Sequence, residues 1–279
     1  MAEELNYFVL DCVQSFLLGI IQGFTEFFPI SSSAQLKVVP YLLGFSDPGV
    51  SVSASLQLGS AFAIVFYFRK DIVQIINSFF DILIHRKICR NDNTKITTYI
   101  FIASIPILFF GLLVKVFWPG FSDSYFRSLF SIAIVSIIMA FLLGLSEKCG
   151  TKKKFLNDIK LRDIILLGFS QSLAIFPGVS RSGITLTSAL FSGIERQTAA
   201  RLTFLVGIPA VSISGIVEFL TIYNNSTFIN IFPILIGIIS SFISSIISID
   251  FLLKFLARNS TFIFVYYRLA FGVLILSTL

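Results

Sequence analysis

Apolar residues in this chain come in long blocks, not in the alternation of strands or the one-sided stripe of soluble helices. Six blocks, 51–68, 96–117, 128–145, 202–223, 230–256 and 262–279, are near the roughly 20 residues a helix needs to cross a bilayer. Two more apolar regions, 7–44 and 164–193, are broken at their centres. The first break holds Pro29 and Ser31–Ser33; the second holds Pro177, Gly178 and Gly183. The halves on either side are too short to cross alone, which predicts two re-entrant helical hairpins. Such breaks are tolerated at membrane depth only where protein or a polar cavity surrounds them. The pattern predicts an all-α, polytopic integral membrane protein with about six transmembrane helices plus two re-entrant hairpins, in one membrane domain.

Composition strengthens that reading. Hydrophobic residues make up 56% of the 279 and charged ones 13%, against about 25% charged in a soluble domain. Mean hydropathy is +0.91. The start, M-A-E-E-L-N, is acidic and lacks the basic segment of a signal peptide, so no cleavage is expected. Cys12, Cys89 and Cys149 show no metal spacing and read as unpaired thiols. The single histidine, His85, falls in a charged loop, so no histidine-based metal site is expected.

Charge sets an orientation. Of 21 Lys and Arg, six fall in 69–95, six in 146–163, and four more are Arg196, Arg201, Lys254 and Arg258. Reading 69–95 and 146–163 as loops and placing these residues in the cytoplasm leaves Lys37, Lys115 and Arg127 near the outer side, as the positive-inside rule asks. The run Lys152–Lys154 is then a cytoplasmic loop, and nucleic-acid binding is not expected. The chain also repeats: Gly19, Gln22, Phe27 and Ser31 recur 149 positions later as Gly168, Gln171, Phe176 and Ser180. Each copy is one broken hairpin plus three crossings, about 7–145 and 164–279. An odd number of crossings inverts the second copy, and inverted repeats place their site at the interface near the midplane.

Candidate chemistry sits at the two breaks. Gln22 and Glu26 are four apart and share a helix face. They precede the hydroxyls of Ser31, Ser32 and Ser33, where a new helix start offers free N–H groups to an anion. The second break, F-P-G-V-S-R-S-G-I-T, supplies Ser180, Ser182, Gly183 and Thr185 around Arg181, whose planar fork suits phosphate oxygens. An arginine snorkelling to water is the plain alternative. Glu26 reads as catalytic or as an arginine's structural partner. Arg268, in V-Y-Y-R-L-A, reads as a second phosphate ligand or as an internal ion-pair partner. Gln57 lines the cavity or bridges helices. Glu218, Asp250 and Lys115 lie toward helix ends, where interfacial solvation accounts for them.

With these residues in view, Q-G-F-T-E-F-F-P-I-S-S-S, P-G-V-S-R-S-G-I-T and the C-terminal Y-R resemble the undecaprenyl-diphosphatase family (UppP/BacA type) of bacterial inner membranes. The resemblance runs the full length. It implies removal of the terminal phosphate from undecaprenyl diphosphate on the outward face, which recycles the carrier for peptidoglycan synthesis and confers bacitracin resistance. It also implies Glu26 as essential carboxylate, Gln22 in an adjoining Glu/Gln position, Ser32 as nucleophile beside Ser31, and Arg181 as phosphate clamp. One departure matters. The family pattern S-S-x-G-H reads S-S-S-A-Q here, so Gln35 stands where an imidazole is usual, and it cannot exchange protons near neutral pH.

The expected mechanism is in-line phosphoryl transfer, with Ser32 attacking and Glu26 managing its proton or holding Mg²⁺ or Ca²⁺. Expected partners are the isoprenoid lipid diphosphate and membrane lipids, with a homodimer left open. The rival reading is a polyprenyl-phosphate transporter or flippase using the same cradle.

Overall fold

Proline, glycine and serine decide where the helices stop. The structure, a computed structural model, describes residues 2–44, 49–85, 92–225 and 228–279. Arg86, Lys87, Cys89 and Arg90, counted above, lie outside the described residues. Among the described residues there are eleven α-helices and no strand beyond one isolated bridge, so the all-α expectation stands. They are α1 (Ala2–Phe27), α2 (Ser32–Leu42), α3 (Gly49–Tyr67), α4 (Arg69–His85), α5 (Asp92–Phe117), α6 (Leu129–Cys149), α7 (Leu161–Ser172), α8 (Arg181–Phe191), α9 (Arg196–Asn225), α10 (Phe228–Leu256) and α11 (Phe262–Ser277). By length and composition α5, α6, α9 and α10 can each cross a membrane, and α3 with α4 makes a fifth if the bent pair is one span.

The segments expected to cross all appear as helices, but 69–85 differs from expectation. That stretch is helix α4, set at 81° to α3, not loop. Its Val73, Ile76, Phe80 and Leu83 are exposed beside Arg69 and Lys70. An apolar face with a charged opening turn is the composition of a helix lying in a membrane interface.

Both sequence breaks are present and are local copies of one another. Ser31 and Ser180 hold positive φ, 71° and 72°, a strained region for a residue with a Cβ. Each caps the helix after it: the Ser31 Oγ accepts from the Ala34 N–H, and the Ser180 Oγ from the Gly183 N–H. Each also lies 3.2 Å from the hydroxyl two residues on, Ser33 or Ser182. Helices α2 and α8 are both 11 residues long, a rise of about 16 Å, or half a hydrocarbon core. They run to opposite ends of α6. Lys37 of α2 donates to the Arg127 carbonyl just before α6, whereas the end of α8 meets the chain just after it through the Lys154–Ile194 bridge. Arm α1 is longer than its sequence pattern suggests, at 26 unbroken residues.

The α1–α10 contact is made by small residues, and many phenylalanines face outward, while Phe27, Phe68 and Phe204 pack in the core. A Cβ on Gly23 of α1 would stand 2.5 Å from the Ser241 carbonyl of α10. The hydroxyls of Ser240 and Ser248 donate to the Phe16 and Phe24 carbonyls of α1. Close backbone approach with serine bridging is how helices associate where lipid removes the hydrophobic drive between them. At the end of α6, Glu147 is 3% exposed. It accepts from Arg196, from Lys152, and from the backbone and side chain of Thr261. That carboxylate fastens the starts of α9 and α11 to α6.

Candidate active site

The end of α1 aims Glu26 at the start of α2. The helical spacing of Gln22 and Glu26 lets the Gln22 amide donate to Glu26 Oε2 at 2.8 Å. The Ser32 hydroxyl donates to the same oxygen, also at 2.8 Å. The second break completes the group: Arg181 Nη2 donates to Glu26 Oε1 at 3.1 Å, across 155 residues of sequence. Gln22, Glu26, Ser32 and Arg181 therefore form one cluster. Gln22 is fully buried and Glu26 is 6% exposed, so the ion pair works at low dielectric, where it is much stronger than in water.

A third wall comes from Thr203 and Gly207 of α9, residues to which no motif pointed. Arg181 Nη1 donates to the Thr203 carbonyl at 3.4 Å. One turn on, Gly207 leaves the volume the guanidinium fills, because a Cβ there would lie 1.5 Å from Nη1. The signal available in sequence was a lone glycine in an apolar helix, indistinguishable from a packing glycine. Some polar atoms remain without protein partners: Gln22 Oε1, Arg181 Nε and the Thr203 hydroxyl. Buried polar atoms left open beside a strained break mark a place for a ligand.

The other expected residues fall into separate roles. Ser31 and Ser180 are the helix caps, and Ser33 is exposed beside Ser31. Ser182 donates to the Phe28 carbonyl at 2.9 Å and so ties the two breaks together. The Thr185 hydroxyl is taken up by the Arg181 and Ser182 carbonyls, and Gly183 supplies the capped N–H. Gln35 is buried and accepts from the Tyr267 hydroxyl at 3.1 Å. Gln57 sits half-buried on α3, with no bond to the Glu26–Arg181 pair. Gln171, the repeat mate of Gln22, instead donates to the Ala103 carbonyl and holds α7 to α5.

Arg268 departs from the ion-pair reading the sequence allowed. It is 1% exposed and donates to four carbonyls: Pro29 at 3.0 Å, Gly178 at 2.5 Å, Val179 at 3.2 Å and Ser136 at 3.3 Å. Four of its five N–H groups go to backbone and none to a carboxylate among the described residues, so it is a structural tie and not an ion-pair partner. The Pro29, Gly178 and Val179 carbonyls it satisfies lie at the two breaks, which would otherwise leave them bare.

The site offers a hydroxyl on a carboxylate, a guanidinium opposite, and the N-termini of two half-helices, with Ser32 and Arg181 as their first residues. Donors converging in this way favour an anion with several oxygens. Among the described residues no three of His, Cys, Asp and Glu cluster as metal ligands. A hard cation would find one protein carboxylate, Glu26, and would need substrate and water oxygens for the rest.

The family model described as bacitracin resistance protein BacA matches residues 15–274. A protein of Prochlorococcus marinus (strain NATL1A) named undecaprenyl-diphosphatase is 63% identical over 279 residues, covering all of both chains. Proteins of the same name from Prochlorococcus marinus (strain MIT 9303) and Synechococcus sp. (strain CC9902) are 47% and 48% identical. They cover 95% and 94% of this chain and 90% and 93% of their own.

Proposed function

This chain belongs to the bacitracin resistance protein BacA family, and from that we propose that it hydrolyses undecaprenyl diphosphate to undecaprenyl phosphate and inorganic phosphate, with Glu26, Ser32 and Arg181 at the reacting phosphorus. It is a hydrolase embedded in the membrane, and its product is the lipid carrier that peptidoglycan synthesis uses again. One observation carries the assignment of roles: the Ser32 hydroxyl lies 2.8 Å from a carboxylate that also faces a guanidinium at 3.1 Å.

Ser32 Oγ attacks the terminal phosphorus while its proton passes to Glu26 Oε2, the acceptor already within hydrogen-bond reach. The bond to the bridging oxygen breaks, and undecaprenyl phosphate leaves with the proton that Glu26 returns. Water then attacks the phosphoserine and gives a proton to Glu26; the bond to Ser32 Oγ breaks, Glu26 passes that proton to Ser32, and inorganic phosphate departs with both side chains restored. Arg181 and the first N–H groups of α2 and α8 stabilise the equatorial oxygens, where charge gathers. Gln22 steadies Glu26 through its amide. No imidazole enters any step, which fits the glutamine at position 35. A divalent cation, Mg²⁺ or Ca²⁺, would neutralise the diphosphate and would be held by Glu26.

The opposed arms α2 and α8, each half a bilayer long, support an inverted repeat with both breaks near the midplane. The distribution of basic residues supports a plasma-membrane protein whose site opens outward. The test is phosphate release by purified protein from the lipid diphosphate. Glu26→Gln or Arg181→Ala at full rate would remove that residue from the mechanism. Paired half-helix N-termini also suit a lipid-phosphate flippase. Movement of the monophosphate across a vesicle bilayer without phosphate release would decide for that reading.

A further inference from the structure

The site is walled by α9 on one side and by α11 on the other. Arg181 is backed by α9, where Thr203 is 1% exposed. On the α2 side, Gln35 is 3% exposed, and the residue holding it, Tyr267 of α11, is 41% exposed on the outer surface of the bundle. The Tyr267 ring lies parallel to that of Phe271, 6.0 Å between centroids and 11° between planes, and its hydroxyl reaches inward to the buried Gln35. That hydroxyl takes the Gln35 oxygen, while Gln35 Nε2 is buried without a partner. A buried amide nitrogen lacking an acceptor is destabilising unless a ligand supplies one. Gln35 follows Ser32 by three positions on α2, so both side chains lie on one helix face.

We propose that Gln35 donates this NH₂ group to the phosphate that stays on the isoprenoid. The apolar chain then leaves between α2 and α11, past Tyr267. Tyr267 is a positioning residue: by taking the amide oxygen it turns the two N–H groups toward the phosphate. Arg181, on the α9 side, holds the phosphate that is removed. The idea takes its ligand from the hydrolase reading but does not depend on turnover.

The experiment measures binding of undecaprenyl monophosphate and of inorganic phosphate to detergent-solubilised protein, by thermal stabilisation. Gln35→Met, close in size but without a donor, should weaken the lipid monophosphate about tenfold or more, with affinity for inorganic phosphate within about twofold of wild type. Gln35→His, which keeps an N–H donor, should recover most of the loss. Tyr267→Phe should weaken the monophosphate about threefold, and should add nothing in the Gln35→Met background, because only the amide transmits its effect. Unchanged monophosphate affinity in Gln35→Met, or a loss confined to inorganic phosphate, overturns the proposal. If Gln35→Met does not fold, Tyr267→Phe carries the same test. A wild-type protein that binds both ligands as described but releases no phosphate would sink the hydrolase reading and leave this one standing.

Discussion

Two buried glutamates, each paired with an arginine, lie at different depths in this bundle, and they do opposite things. Glu147 at the end of α6 receives Arg196, Lys152 and both donors of Thr261, so that its two oxygens are surrounded by protein. Glu26 receives Arg181, Gln22 and Ser32, but its partners keep atoms to spare: Gln22 Oε1 and Arg181 Nε are buried and unbonded. Burial does not separate the two, at 3% and 6% exposed. What separates them is completeness. A carboxylate whose shell is closed by main chain and cations is a fastening. One whose neighbours are left open, between two serines of positive φ, is arranged for something that arrives later.

The sharpest way to break that contrast is to neutralise each glutamate in turn. Glu26→Gln keeps the shape and the Ser32 contact but removes the proton acceptor, so phosphate release should fall about a thousandfold. Its melting temperature in detergent should fall as well, because Arg181, with its side chain 10% exposed, loses its anion, so the contrast is read in turnover. Glu147→Gln should lower stability alone. It strands Arg196 and Lys152 without their anion at the membrane edge, which should cost about 2–3 kcal/mol after allowing for Arg196 being partly exposed. Activity per folded molecule should be unchanged. If Glu147→Gln lost turnover at unchanged stability, the distinction between fastening and reactive carboxylate would fail.

The arginines offer the next test. Arg181→Ala removes the guanidinium from the reacting phosphate and should lower turnover about a hundredfold, with Lys recovering only part because it presents a point charge instead of a fork. Arg268→Met leaves the Pro29, Gly178 and Val179 carbonyls bare at both breaks. It should lower the melting temperature clearly and turnover only about tenfold, through lost geometry. Equal catalytic losses with no change in melting for both variants would make Arg268 a ligand after all.

The helices, both breaks and the residues that meet as Glu26, Ser32 and Arg181 were legible in sequence for physical reasons. Long apolar blocks have few alternatives in lipid, and Pro29 or Pro177 followed by a capping serine favours a helix end, whereas Pro40, Pro106, Pro209 and Pro233 sit inside helices. Gln22 and Glu26 share a face by periodicity, and a cation as costly as Arg181 at membrane depth signals use. The division of labour was not legible. Arg181 and Arg268 are equally costly in an apolar run; only the fold shows that one meets a carboxylate and the other a ring of carbonyls. Gln22 and Gln171 are repeat mates, yet the residue four positions on is Glu26 in one copy and Ile175 in the other, which leaves Gln171 to bond Ala103. Helix α4 read as loop because its cations drew attention away from an apolar face. Residues of α9 were missed because their role is to leave room.

Gly207 tests that last point and carries the smallest expected effect. Its Cβ would overlap Arg181 Nη1 at 1.5 Å, so Gly207→Ala forces a displacement. The atom in the way is the tip of a flexible side chain, and Arg181 can yield by swinging away from α9. The fold should therefore be nearly unaffected, with melting close to wild type or slightly raised, since alanine favours helix over glycine by about 1 kcal/mol. The loss should fall on catalysis: a guanidinium moved by a fraction of its hydrogen-bond length stabilises the transition state less, and turnover should drop several-fold, about three to ten. In an Arg181→Ala background the same substitution should change nothing, because no guanidinium remains to be moved. If Gly207→Ala lowers turnover equally with and without Arg181, the glycine serves helix packing, and the third wall of the site is not where α9 is.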